Sequence, residues 1–265
     1  MVSRNGSLRL FRLFGITVFV HWSWLLVAYL QYQYRRSVYP SALWFALEYG
    51  SLFAIVLLHE FGHALATLSV GGKADTIMLW PLGGVAFVDP PHRPGAVLWA
   101  IFAGPLVNII LLPLLLFAAI YVGQFAPHTS LASYIWMVFQ INLGLLIFNM
   151  LPIYPLDGGQ ILHALLWFVL GYAQALRIVS VLGFVGAAGL VGLAVWLGLG
   201  PYTYIVAVFI GWRAVIGYQI SRQIIRQANE AANRAPPPAA TNVTWIPPAN
   251  PQPGSTTNSW DKPPQ

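Results

Sequence analysis

Long apolar runs separated by short polar segments dominate the first 220 residues of the chain. A helix needs about 20 apolar residues to cross the roughly 30 Å hydrocarbon core of a bilayer. Six runs approach or exceed this length, and we expect them to form transmembrane helices over residues 20–34, 42–69, 96–122, 131–151, 174–198 and 203–220. The first run is short for a complete crossing, although its tyrosines suit the membrane interface.

Two other stretches have the pattern of β-strands rather than of membrane spans. Residues 8–19 alternate partly between polar and apolar side chains and are interrupted at Gly15. Residues 76–88 contain a Pro-Leu-Gly-Gly break, which is typical of a turn. The predicted fold class is therefore an α-helical polytopic membrane protein with about six transmembrane helices and a small β-sheet at the cytoplasmic face.

The composition supports this fold class and excludes others. Of the 265 residues, 58% are hydrophobic and only 8% are charged, whereas soluble domains carry about 25% charged residues. So few charges cannot cover the surface of a soluble globule of this size. A soluble domain, a disordered chain and a nucleic-acid-binding module are thereby excluded. The absence of cysteine also excludes disulfides and thiolate metal ligands.

The distribution of positive charge predicts the orientation in the membrane. With the N-terminus in the cytoplasm and six spans, loops 70–95 and 152–173 and the C-terminus lie on the same side. That side collects eleven of the thirteen Lys and Arg residues, and only Arg35 and Arg36 fall outside it. The positive-inside rule therefore predicts a multi-pass protein of the cell membrane with both termini cytoplasmic. We expect no cleavable signal, because no apolar segment near the N-terminus ends in a small-residue cleavage site.

We divide the chain into a membrane domain over residues 1–222 and a cytoplasmic tail over residues 223–265. From about residue 235 onward, Pro, Ala, Asn, Thr and Ser dominate the sequence. Such a composition buries too little apolar surface to fold, so we expect the tail to be disordered.

The strongest chemical signal is the segment His59-Glu60-Phe61-Gly62-His63 in the second apolar run. A charged group in hydrocarbon costs several kcal/mol, so ionisable residues at membrane depth need a functional explanation. Residues four apart lie on one helical face, so both imidazoles can bind the same ion. Glu60 is rotated by about 100° from His59, which lets it reach a metal-bound water without being a ligand.

A catalytic zinc site needs a third protein ligand, and elimination leaves few candidates. The chain contains seven acids in all, and most lie too far along the same helix, in the loop of residues 70–95 or in the tail. Asp157 follows the fourth run on the same predicted side as His59 and His63. Its segment contains two prolines and two glycines, and irregular backbone at membrane depth is tolerated where it lines a site. His163 is a weaker alternative to Asp157 as the third ligand, and we expect it to be a packing residue instead.

These residues predict one Zn²⁺ ion and a hydrolytic site, with two alternatives. A metal-binding or zinc-transporting membrane protein would use the same ligands, but it would need further acids or histidines along a path. An inactive scaffold of the same fold would bind membrane clients without cutting them, but it has no use for a buried carboxylate that is not a ligand. Asn108 and Asn142 can line a water channel, and interhelical hydrogen bonding explains them equally well.

The chain resembles the site-2 protease family of intramembrane zinc metalloproteases, in the minimal form without a PDZ or CBS domain. The segments that carry the resemblance are His59–His63, Ala103–Asn108, Asn149–Gly159 and Pro81–Ala86. Many members of the family contain a PDZ insertion or a CBS pair. The longest cytoplasmic loop, of about 25 residues, and the proline-rich tail accommodate neither.

The resemblance implies a zinc-dependent intramembrane endopeptidase, with His59, His63 and Asp157 as zinc ligands and Glu60 as catalytic base. It further implies that Asn149 helps to hold the oxyanion. The implied substrate-binding residues are Gly83, Gly84, Val85 and Ala86, in an edge strand that pairs with an unwound substrate. The implied partners are the lipid bilayer and a membrane-anchored protein substrate, such as a transcription regulator or an anti-sigma factor, and no nucleic acid.

Overall fold

The computed structural model describes residues 6–35, 41–80 and 83–234. By its internal contacts the chain divides into two units, Met1–Gln227 and Ala228–Gln265, and the first contains the sheet and the candidate active site. In chain order the elements are β1 (Ser7–Leu13), β2 (Ile16–His21), α1 (Ser23–Arg35), α2 (Ala42–Ser69), β3 (Lys73–Trp80), β4 (Gly83–Asp89), α3 (Pro94–Phe125), α4 (Ser130–Asn149), α5 (Asp157–Leu170), α6 (Tyr172–Leu197) and α7 (Pro201–Arg234).

The strands form one four-stranded sheet in the order β1-β2-β3-β4. Strands β1 and β2 form an antiparallel hairpin whose turn contains Phe14 and Gly15, both with positive φ. The central strands β2 and β3 are parallel, and β3 and β4 are antiparallel. The strands predicted on either side of Gly15 and of the Pro-Leu-Gly-Gly break are confirmed. Strand β4 lies at one edge of the sheet. Asp75 and Asp89, expected in a loop, lie in β3 and β4.

The two central strands pack against α2 and thereby fix the sheet beside the helix that carries the His-Glu-Phe-Gly-His segment. Ile16 and Val18 of β2 and Ile77 of β3 are completely buried. They share one hydrophobic cluster with Phe61 and Ala64 of α2. Because Phe61 lies inside the segment, the sheet contacts the helix at the depth of the candidate metal ligands.

Five helices of the described ranges are long and apolar enough to cross a membrane, namely α2, α3, α4, α6 and α7. The first predicted span, 20–34, stays a prediction as a full crossing, because residues 36–40 after α1 lie outside the described residues. Its beginning belongs to β2, and α1 contains 13 residues, which extend over only about 20 Å. The multi-pass membrane fold itself is confirmed.

Helix α5 was not predicted, since residues 152–173 were expected to form a loop. Its first turn contains Gly158 and Gly159, which normally disfavour a helix. In the structure both glycines lie directly against the main chain of the preceding segment, where a Cβ would overlap Met150 and Ile153. Close packing thus outweighs the low helix propensity and brings Asp157 to the N-terminal end of a helix.

Helix α7 continues to Arg234, so residues 223–234, assigned to the tail by composition, are helical. Residues 235–265 lie outside the described residues, as do Pro81 and Leu82 of the predicted turn. The boundary between a membrane domain and a tail after residue 222 stays a prediction.

Candidate active site

Helix α2 places the three ionisable side chains of its His-Glu-Phe-Gly-His segment inside the protein. His59, Glu60 and His63 each keep only 6% of their surface exposed. Gly62 allows α3 to approach closely, because a Cβ at this position would lie 2.5 Å from the carbonyl oxygen of Ala103. The segment therefore lies at a contact between two helices and not on a lipid-facing surface.

Three atoms suited to metal binding meet between α2 and the first residue of α5. The Nε2 atoms of His59 and His63 are 3.1 Å apart. Oδ2 of Asp157 lies 3.0 Å from Nε2 of His59 and 3.5 Å from Nε2 of His63. Tetrahedral ligands about 2.0–2.1 Å from a zinc ion are separated by about 3.3–3.4 Å. The triangle formed by these three atoms therefore has the dimensions of a zinc site.

Hydrogen bonds on the opposite side of each ring determine the tautomers of the two imidazoles. Nδ1 of His59 lies 2.7 Å from Oδ1 of Asn108, and Nδ1 of His63 lies 2.9 Å from the carbonyl oxygen of Ala100. Both oxygens are acceptors, so each Nδ1 carries the proton and donates it. Each Nε2 then directs a lone pair toward Oδ2 of Asp157, which is buried and has no hydrogen-bond donor among the described residues. Three acceptors in contact need a cation between them, and this set of nitrogen and oxygen ligands suits zinc.

The amide of Asn108 is oriented in turn by Asn142 of α4. Nδ2 of Asn108 donates to Oδ1 of Asn142 at 2.8 Å, and Nδ2 of Asn142 donates to the carbonyl oxygen of Asn108 at 3.0 Å. Both side chains are completely buried. Of the two interpretations left open by the sequence, interhelical hydrogen bonding is the one observed. The pair holds His59 in the orientation that a metal ligand needs.

Glu60 lies beside the two imidazoles but is anchored to the sheet. Ligand-type atoms of His59, Glu60 and His63 lie within 4.8 Å of one another. Oε2 of Glu60 accepts a hydrogen bond of 2.9 Å from the main-chain N–H of Ala86 in β4. This carboxylate is therefore close enough to exchange protons with a group held at the imidazoles, while a main-chain donor fixes its position.

Asp157 occupies the first turn of α5, where the positive end of the helix dipole favours a carboxylate. An ionised carboxylate is the form in which Asp157 can bind a metal ion.

His163 does not belong to the triangle of ligand atoms. Its Nε2 lies 3.3 Å from the carbonyl oxygen of Tyr172, and its ring contacts the rings of Trp167 and Tyr172. Burial lowers the pKa of this imidazole, which favours the neutral form. The side chain packs α5 against the start of α6.

The residues suggested only by the family resemblance lie on α4 and β4. Asn149 is the last residue of α4 and is half-buried. Gly83 to Ala86 form the first half of the edge strand β4, and Ala86 contacts Glu60. Sequence reasoning missed the main-chain groups of Ala86 and Ala100. Every residue carries such groups, so no side-chain pattern could have marked them.

The fold and the site together define a class of protein: a polytopic helical membrane protein with a buried His, His and Asp site that fits zinc. The sequence model of peptidase family M50 matches residues 49–125 and 118–193, which together make up more than half of the chain. The chain therefore belongs to peptidase family M50, and the resemblance to site-2 proteases is confirmed.

Similarity to two known proteins supports the assignment to peptidase family M50. The zinc metalloprotease MJ0392 of Methanocaldococcus jannaschii is 33% identical over 179 residues, which are 68% of this chain and 51% of that protein. Stage IV sporulation protein FB of Bacillus subtilis is 35% identical over 130 residues, 48% of this chain and 43% of that protein. The chain spans about half the length of these curated relatives.

A solved structure has a similar fold. The site-2 protease from Methanocaldococcus jannaschii superimposes with a TM-score of 0.58 at 28% sequence identity. The superposition covers 80% of this chain and 95% of the chain in that structure. The similarity thus extends well beyond the segments that carry the candidate site.

Proposed function

We propose that the protein is a zinc-dependent intramembrane endopeptidase that hydrolyses peptide bonds in or near the transmembrane segments of membrane-anchored proteins. The observation that carries this proposal is the triangle of His59, His63 and Asp157, with the carboxylate of Glu60 beside it. In this proposal the triangle holds one zinc ion and Glu60 is the general base.

The proposed reaction follows from the chemistry of these side chains. Bound zinc would polarise the scissile carbonyl and lower the pKa of its water toward about 7. Glu60 accepts a proton from the attacking water and then delivers it to the leaving amine. Asn149 donates a hydrogen bond to the developing oxyanion, a role that is worth about 10²–10³ in rate in other hydrolases.

The depth of the site supports cleavage within the membrane. At 1.5 Å per residue, His59 lies about 15 Å along the helix axis from the end of α2 at Ser69. A helical substrate must unwind before its peptide bond can react, because the helix ladder shields the bond. Strand β4 is at the edge of the sheet and can pair with an extended segment through outer main-chain groups other than the N–H of Ala86, which donates to Glu60. We therefore propose that Gly83, Gly84, Val85 and Ala86 pair with the substrate.

We further propose that the substrate is a membrane-tethered transcription regulator or an anti-sigma factor, the substrate class suggested by the resemblance. The same resemblance and the asymmetry of positive charge support a location in the cell membrane with both termini in the cytoplasm. In this arrangement residues 1–222 form the protease domain, and residues 223–265 form a cytoplasmic extension whose first part is helical.

The decisive experiment incubates the purified full-length protein with a single-span membrane protein substrate. We expect cleavage that a zinc chelator abolishes and added zinc restores. Glu60→Gln should lower the cleavage rate at least about 100-fold, as expected for loss of a general base, while zinc binding is kept. Glu48→Gln changes the other acid of α2 and serves as the control, with cleavage at the parental rate.

Three results would contradict the proposal. Glu60→Gln could cleave as fast as the parent, which would exclude Glu60 as the base. The parent could carry zinc across liposomes and cut nothing, which would favour the transporter. It could also bind the substrate without cutting it, which would favour the inactive scaffold.

A further inference from the structure

A groove of about 560 Å³ lies between α6 and α7, away from the candidate active site. Four apolar side chains and two polar ones line it: Ile178, Val181, Leu182, Ile225, Gln174 and Arg177. Both helices are candidate membrane spans. The groove therefore opens on a part of the surface that lies beside lipid, and its volume falls in the range of ligand-binding clefts.

The apolar wall of the groove is a continuous stripe on α6. Gln174, Ile178 and Val181 recur at the spacing that keeps side chains on one helical face, and Leu182 lies beside them. Ile178, Val181 and Leu182 are all exposed. Because Gln174 is in the first turn of α6, the polar end of the stripe coincides with the helix N-terminus and the apolar end points into the span.

A second stripe on α7 carries positive charge to the polar end. The guanidinium of Arg177 lies 5.8 Å from the centre of the Tyr218 ring, which joins the two helices at this level. Tyr218, Arg222 and Ile225 are spaced at i, i+4 and i+7, so they share one face of α7. On this face Arg222 lies between Tyr218, which contacts Arg177, and Ile225, which lines the groove. The Arg222 side chain is exposed.

These two cations have no anionic partner among the residues that the structure describes. In residues 6–35, 41–80 and 83–234, neither Arg177 nor Arg222 forms an ion pair with an acid. An arginine at the end of a membrane span normally directs its guanidinium to the headgroup layer. Basic pockets between transmembrane helices are suited to anionic lipid headgroups.

We propose that this groove is a binding site for an anionic glycerophospholipid. The phosphate lies between the guanidinium groups of Arg177 and Arg222, and Gln174 donates to the headgroup. One acyl chain runs along Ile178, Val181 and Leu182. Free phosphate would satisfy the arginines but leave the apolar stripe uncovered, whereas a lipid matches both parts of the groove.

The test measures which lipids stay bound to the full-length protein after purification from mixed vesicles of phosphatidylglycerol and phosphatidylcholine. Extraction and mass spectrometry of the bound lipids should show at least a fivefold enrichment of phosphatidylglycerol over the vesicle ratio. The variant Arg177→Gln/Arg222→Gln should lose this enrichment. The control Arg9→Gln/Arg12→Gln removes two exposed arginines of β1 and should keep it.

A second variant tests the apolar part without changing any charge. Val181→Trp fills the groove and should also abolish the enrichment, while Arg177→Lys/Arg222→Lys should retain most of it. Equal retention of the two lipids by the parent would overturn the proposal, since it indicates unspecific lipid contact. Enrichment that survives in Val181→Trp, or displacement of the lipid by glycerol phosphate alone, would overturn it as well. Enrichment in Val181→Trp would mean that the lipid binds elsewhere on the protein. Displacement by glycerol phosphate would mean that the headgroup alone is bound and that the apolar stripe makes no contribution.

Discussion

The carboxylate of Glu60 is bonded to the main chain of the edge strand, with Oε2 2.9 Å from the nitrogen of Ala86. Ala86 is opposite Ile77 of β3, and its N–H points away from β3 toward α2. One hydrogen bond therefore links Glu60, the proposed base, to β4, the strand proposed to pair with the substrate. Under the proposed function, a substrate that adds to β4 would lie next to the carboxylate proposed to activate the water.

The first prediction removes this bond without removing a side chain. Ala86→Pro deletes the N–H, and proline is tolerated on an edge strand where the N–H faces away from the sheet. We expect kcat to fall about 10-fold to 100-fold, because the general base loses its position, while KM changes little. Steady-state cleavage of a single-span substrate, with the zinc content determined in parallel, measures both effects.

Val88→Pro is the matched control for this variant. Val88 is two residues further along β4, so its N–H faces the same edge, and proline there should leave kcat near the parental value. If Ala86→Pro raises KM and leaves kcat unchanged, the N–H of Ala86 binds the substrate instead of positioning Glu60.

The second prediction concerns the close contact between α2 and α3 at Gly104. A Cβ at this position would overlap the imidazole of His63. Gly104→Ala should therefore displace His63 from the triangle and lower zinc affinity and cleavage together, each by at least about 10-fold. Titration of the apoprotein against a competing chelator measures the affinity.

The same helix offers a control for this glycine. A Cβ at Gly123 would meet no atom of residues 6–35, 41–80 and 83–234 within 4 Å, so Gly123→Ala changes the helix propensity alone. It should bind zinc like the parent and be more stable by up to about 1 kcal/mol. Full zinc affinity in Gly104→Ala would show that His63 is not held where the structure has it.

The third prediction tests the asparagine pair behind His59. Asn108→Leu keeps a similar volume but removes the acceptor for Nδ1 of His59 and leaves Asn142 without its partner. Loss of such a supporting hydrogen bond typically lowers metal affinity 10-fold to 100-fold. Ser180→Ala removes another buried hydroxyl, one without a hydrogen-bond partner in the part of the chain that the structure describes, and should bind zinc normally. Equal affinities of the two variants would contradict a role for Asn108 in holding the ligand.

The sequence alone predicted much of the fold, and the exceptions have physical causes. Both hairpins followed from turn residues between short strands, and the long helices followed from apolar length. Helix α5 was missed because Gly158 and Gly159 disfavour a helix, and only the tertiary packing against Met150 and Ile153 explains them. The first predicted span begins inside β2, because this apolar strand runs directly into α1 in the hydropathy pattern.

The candidate site was predictable to the extent that it rests on rare side chains. Acids and histidines are so few in the sequence that elimination selects His59, His63 and Asp157 as one ligand set, and the structure places their ligand atoms in contact. Their roles in catalysis stay predictions. The main-chain groups of Ala86 and Ala100 could not be anticipated, because their positions depend on the sheet and on the α2–α3 contact.

The last prediction uses the buried imidazole of His163. Burial lowers its pKa in the folded protein, whereas the unfolded chain titrates near the ordinary value of about 6.5. As the pH falls through 6.5 the unfolded state binds more protons than the folded state, so stability must decrease. We expect the midpoint of thermal unfolding in detergent to fall between pH 7.5 and pH 5.5, and His163→Phe should make this dependence flatter. His128→Asn removes an exposed imidazole between α3 and α4 and should follow the parent. An unchanged slope in His163→Phe would mean that another group controls the acid sensitivity.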